Sequence, residues 1–227
     1  MIRNNQYVML MSSLPPPGEP FKADQTAISL LKLQSRLKML KESDFERHTQ
    51  VSDLVAWVRL PMDKTDEDII ESANSFCATV KRPVVRKVVE STLEVHTILS
   101  ALRRRRLGAE RAPDSESWGF GPWTPHIERN WDHPTFKLEA YFPWIPEADR
   151  LLHEDKSLEL EKLVQKVSWD LLTRIGGGHY FDFEAVVIYV LKWDMVKRWT
   201  RFDSERAVSR FREKTKSGLG KYADLYV

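Results

Sequence analysis

Apolar residues recur along most of this chain at three- and four-residue steps, the spacing of one face of an α-helix. Ile28, Leu31, Leu37 and Leu40, interleaved with Lys and Arg, predict a helix starting near Gln25. A second is expected from Ser43 to Leu60, with Val51, Leu54, Val55 and Val58 as its buried stripe and Pro61 as its stop. A third opens at "TDED", where Thr65 is a good N-cap, Asp68 follows three residues on, and acidic side chains sit at the positive end of the helix dipole. It ends before Pro83, which suits the first turn of a fourth helix free of breakers until Gly108.

From 108 to 146 the pattern changes. Gly108, Gly119 and Gly121 stand among Pro113, Pro122, Pro125, Pro134, Pro143 and Pro146, together with Trp118, Trp123, Trp131 and Trp144. So many breakers with such large aromatics predict an irregular segment packed down on the helices. Helices resume at Glu147 to His153 and Ser157 to Ile175, and "GGGHYFD" interrupts them, with Asp182 placed to cap the next. That helix, Phe183 to about Trp199, contains "AVVIYVL", which periodicity alone reads equally as a buried strand; its unbroken length favours a helix. A last helix is expected from Ser204 to about Lys216. The fold class is therefore mainly α, a multi-helix bundle with a Trp/Pro-rich irregular insertion. Residues 1–24 read as an apolar segment and a Pro-rich spacer ("LPPPGEP"), and 25–227 as one helical domain in two halves, 25–107 and 147–227, around the insertion at 108–146.

Composition narrows the function classes. The chain has 227 residues, 42% of them hydrophobic and 30% charged, as expected of a folded globular protein. Its 35 basic and 33 acidic residues nearly cancel, whereas a protein that neutralises many phosphates carries a larger basic excess, so nucleic acid is not the expected partner. Cys77 is the single cysteine, which excludes an intramolecular disulfide and a thiolate zinc site. "AVVIYVL" is far below the roughly 20 residues of a membrane span, and the N-terminus lacks a signal-peptide pattern. A cytoplasmic protein is expected, peripheral to the inner membrane only through a partner complex.

The arginines of "SALRRRRLGAE" are the most conspicuous polar feature. At about 100° per residue, Val85, Val88, Val89, Thr92, His96 and Leu99 form a stripe that Arg103 and Arg106 continue. Those two should face inward and need carboxylates, for which Asp182, Glu184 and Asp194 are candidates. Arg104 and Arg105 should face outward, at the negative end of the dipole, available to a partner. Trp118, Trp123, Trp131 and Trp144 either form a docking groove or close the core under a long loop. "HIERNWDH" has the residue types of a metal site without its spacing, and "GGGHYFD" lacks the Gly-Lys-Ser/Thr ending of a phosphate loop. No catalytic, cofactor-binding or metal-ligating set emerges, and an enzyme is not expected.

Two stretches carry a resemblance. "VHTILSALRRRRLG", Val95 to Gly108, resembles a helix of the central-stalk subunit of rotary ATPases, called C in archaeal-type and d in vacuolar-type enzymes, and "FDFEAVVIYVLKWDMVKRW", Phe181 to Trp199, resembles a helix near that subunit's C-terminus. The whole chain, beginning "YVMLMSSLP" from Tyr7, is similar to an uncharacterised bacterial family associated with archaeal/vacuolar-type ATPases in bacteria. The resemblance implies a non-catalytic helical part between rotor axle and membrane ring, with rotary ATPase subunits as its protein partners. A helical adaptor of another complex, and an RNA-binding module resting on Arg104 and Arg105, are the competing expectations.

Overall fold

The computed structural model describes the backbone of residues 5–55, 65–113 and 118–219, and side chains within them up to Arg201. The described residues form nine helices and no strand: α1 (Asn5–Ser13), α2 (Leu30–Leu37), α3 (Glu42–Val55), α4 (Asp66–Thr79), α5 (Pro83–Arg106), α6 (Thr124–Arg129), α7 (Ile145–His153), α8 (Ser157–Ile175) and α9 (Phe183–Leu219). The mainly α expectation holds. None of these helices is long and apolar enough to cross a membrane.

Local chemistry sets several boundaries. Thr65 and Asp68 form a reciprocal capping box on α4: the Asp68 N–H donates to Thr65 Oγ1 at 3.2 Å and the Thr65 N–H to Asp68 Oδ2 at 2.9 Å. Pro83 occupies the first turn of α5, where its missing N–H costs no hydrogen bond. The same helix ends in a Schellman turn, with Gly108 at φ +91°, its N–H donating to Arg105 O at 2.9 Å and the Ala109 N–H to Arg104 O at 3.1 Å. Asp182 Oδ1 accepts from the Ala185 N–H at 2.9 Å and so caps α9, as expected.

α5 is the spine. It packs against α3, α4, α6, α7, α8 and α9, and carries two hydrophobic clusters in succession. Val85, Val88, Val89 and Leu93 of its first half join α1 to α4 and α9 in one core. Ile98, Leu99 and Leu102 of its second half join the insertion, α7 and Leu160 of α8 in the other.

Four sequence expectations are corrected. The N-terminal segment is not outside the helical body: α1 packs on α2 and α9, and Tyr7 and Leu10 lie in the first core. Residues 25–29 are not helical, because the Trp193 indole donates to Ile28 O at 2.8 Å and Ser29 caps α2. α7 begins at Ile145, two residues before the expected start. The separate last helix does not exist; α9 runs unbroken for 37 residues, since no Gly or Pro lies between Phe183 and Gly218 to interrupt it. The expected end of the second helix, Ala56 to Leu60 with Val58, and the extreme C-terminal tail lie outside the described residues.

Candidate functional site

The arginine end of α5 meets the insertion, and the contacts reverse the helical-wheel assignment. Arg105, expected outward, is the most enclosed of the four. Its side chain is 16% exposed and pairs with Asp149, itself 17% exposed, at 2.5 Å. The same guanidinium donates to the carbonyls of His133 and Pro134 and lies 4.9 Å above the centre of the Phe136 ring. Arg104 pairs with Asp66 at the start of α4 at 2.7 Å. Arg103, expected inward, is exposed. Arg106, also expected inward, reaches Asp155 at 3.5 Å and Leu152 O at 3.3 Å with its side chain 40% exposed.

Two of the three acids proposed as their partners, Asp182 and Glu184, serve elsewhere. Asp182 caps α9 and accepts from or shares a proton with His179 Nδ1 at 2.6 Å. Glu184 takes Arg82 at 3.2 Å, and Arg82 also reaches Asp44 at 3.4 Å, whose other oxygen accepts from the Tyr7 hydroxyl at 2.5 Å. This network ties α1, α3, the start of α5 and the start of α9 together; burial, reinforced by Asp44, pushes the Tyr7 phenol up. Asp194 lines the same cavity as Arg103.

The tryptophans close a core. Trp118 and Trp131 are buried and stack edge to face at 6.0 Å, and their indoles donate to Glu128 and to Ala109 O, each at 2.8 Å. Trp123 and Trp144 are half-buried against the same cluster. The insertion fits because it approaches α5 closely at Gly119, where a Cβ would lie 2.6 Å from Thr97 Cγ2, while the Phe120 N–H donates to Thr97 Oγ1 at 2.9 Å.

His126 and His133 are spent on their own loop, the first against Phe136 O at 3.0 Å and the second against the N–H groups of Thr135 and Lys137, each at 3.3 Å. A sequence scan missed the one group of metal-ligand types that the fold assembles among the described residues, His179, Asp182 and Glu184. It suits a cation poorly: the Arg82 guanidinium already holds Glu184, the Ala185 N–H holds Asp182, and the helix dipole is positive there. Cys77 is partly buried against the first core, and burial raises its thiol pKa, so it is no activated nucleophile.

A second feature missed from sequence is a cavity of about 120 Å³ between α5, α8 and α9. Arg103, Asp194, Glu161 and Arg198 supply its charges, and His96, Gln165 and several aliphatic side chains the rest. The residues were legible singly, as polar interruptions of three apolar helices, but their meeting depends on packing angles that sequence does not contain.

A model of the family described as "Protein of unknown function (DUF2764)" matches residues 16–217. No curated protein and no solved structure gives a significant match.

Proposed function

This chain belongs to the DUF2764 family, and on that premise we propose that it is a non-catalytic helical subunit or accessory factor of a bacterial archaeal/vacuolar-type rotary ATPase, resembling the central-stalk subunit that couples rotor axle to membrane ring. The observation that supports this reading is α9. Its base is gripped by α1, α3, α5 and α8, and buried side chains run from Phe183 to Trp199. The backbone then stays helical to Leu219, about 30 Å further at 1.5 Å per residue. A long helix rooted in a packed body suits a part that a partner holds and loads.

The RNA-binding reading loses its main support, because Arg104, Arg105 and Arg106 each pair with a carboxylate of the same chain. Neutralising a phosphate would mean giving up those pairs.

The test is affinity purification of the full chain from cells that express such an ATPase, with the bound proteins identified by mass spectrometry. Stoichiometric recovery of ATPase subunits supports the proposal. A stable complex without any ATPase subunit overturns it in favour of an adaptor of another assembly, and recovery of the chain alone also overturns it.

A further inference from the structure

The chain between α1 and α2, Leu14 to Ser29, has no regular secondary structure. From Pro15 to Ile28 its one backbone–backbone hydrogen bond among the described residues is a long one, from the Lys22 N–H to Glu19 O at 3.5 Å. A segment so little tied to itself is held by what it touches, and it touches α9 twice. The Trp193 indole donates to Ile28 O at 2.8 Å, and the Phe21 ring meets the Trp199 ring edge to face with centres 4.6 Å apart. Six residues of helix, about 9 Å, separate the two tryptophans, so the segment lies along α9 and runs against its direction.

The Phe21 contact is made against the backbone's preference. Its φ is +69°, in the left-handed region that a residue with a Cβ disfavours. Left-handed backbone at a non-glycine residue and an edge-to-face aromatic pair are opposing effects of similar size, so the contact is strong enough to form and weak enough to break. Unfilled space adjoins the residue: Phe21 is half-buried and borders a surface cavity of about 400 Å³ together with Leu151 of α7 and Lys162 and Leu163 of α8. Its partner stands at a structural boundary. Trp199, 8% exposed, is the last buried residue of α9 among the side chains described, and the Lys162 ammonium lies 5.5 Å from its ring centre.

We propose that residues 14–29 are a strap along α9 with Phe21 as its releasable catch. Closed, the ring seats Trp199 where α9 leaves the packed body; open, the strap and the turn of α9 around Trp199 loosen together. The device belongs to this chain alone and is independent of the rotary-ATPase reading.

The full chain is compared with Phe21→Ala and Trp199→Leu by hydrogen–deuterium exchange and by the rate of tryptic cleavage after the exposed Lys22. Both rates follow the open population when reclosing outpaces them. In the wild-type protein, amides 196–203 should exchange faster than those of Ile98–Leu102 in the second core, because the catch opens without global unfolding. Phe21→Ala should raise the exchange of amides 196–203 and the cleavage after Lys22 each by about three- to tenfold, and leave Ile98–Leu102 at wild-type rates. Trp199→Leu should speed cleavage after Lys22 by a similar factor, although it alters a different element. Equal wild-type exchange at 196–203 and Ile98–Leu102 overturns the proposal, since no local opening then exists. So does a Phe21→Ala protein in which α9 exchange is unchanged, or in which Ile98–Leu102 accelerates by the same factor, or a folded Trp199→Leu protein cleaved after Lys22 at the wild-type rate. Phe21→Ala truncates a half-buried side chain and keeps the fold, so it decides alone should Trp199→Leu not fold.

Discussion

Truncating Arg105 to alanine should unfold the protein far more readily than truncating Arg103, although the two are two residues apart on one helix. Arg105→Ala removes the ion pair to Asp149, the hydrogen bonds to two backbone carbonyls and the cation over Phe136. It also leaves Asp149, 17% exposed, without its cation. Breaking a fully buried pair from one side costs about 3–5 kcal/mol, and a charged hydrogen bond contributes about 1.5–3 kcal/mol. Because some water reaches this pair, the lower end applies, about 3 kcal/mol. For a chain of this size that lowers the melting temperature by roughly 6–12 °C. Arg105→Lys keeps the charge but loses the planar fork that serves a carboxylate and two carbonyls at once, so its loss should be about half as large. Arg103→Ala, at an exposed position, should stay within about 0.5 kcal/mol. Thermal unfolding followed by circular dichroism at 222 nm decides it. If Arg105→Ala melts within about 2 °C of wild type, or Arg103→Ala melts lower, the arginine anchor does not exist as described.

Three further outcomes follow from the packing and the titrating groups. Gly119→Ala forces a Cβ to 2.6 Å from Thr97 Cγ2 and should cost about 1–3 kcal/mol in urea titrations, whereas Thr97→Ser in the same background should recover part of the loss. Tyr189 has a folded-state pKa raised by burial to about 12 and a hydroxyl with no hydrogen bond among the described residues. Stability should therefore hold below about pH 10 and fall as pH rises toward 12, and Tyr189→Phe should flatten that fall without loss at neutral pH. His96, with its folded-state pKa lowered from 6.5 to about 3, contributes stability above pH 6.5 that is lost as pH falls toward 3; in His96→Asn the acid slope of the melting temperature should shrink.

Where the chain carries its own punctuation, local reading reached the structure. α8 occupies Ser157–Ile175 as expected, bounded by the Gly176 turn, and α4 and α5 start at the cap and the proline that announce them. Where an element depends on a remote contact, local reading fell short. Nothing near Ile28 says that an indole 165 residues away will take its carbonyl and hold residues 25–29 out of helix. Ser204 has the chemistry of an N-cap, but a cap requires a preceding break, and α9 offers none. α1 was hidden by the prolines after it, although its Tyr7 and Leu10, three residues apart, fit one helical face.

The reversal at the arginines has a deeper cause than a few degrees of helical phase. A wheel assumes that a helix has one inside, and α5 does not: Ser91, Thr92 and Leu93 are buried in succession, as are Thr97, Ile98 and Leu99. The face that continues the valine stripe points toward the cavity of α8 and α9, where Arg103 and Asp194 can meet water. The face away from it, which a two-layer bundle would leave in solvent, is where the insertion folds over and delivers Phe136 and the carbonyls of His133 and Pro134 to Arg105. The same Pro, Gly and Trp content that makes residues 108–146 irregular lets them close over a second face of α5. In a helix with cores on more than one side, an arginine's role depends on what covers its face, and here the cover is the segment with the least regular sequence pattern.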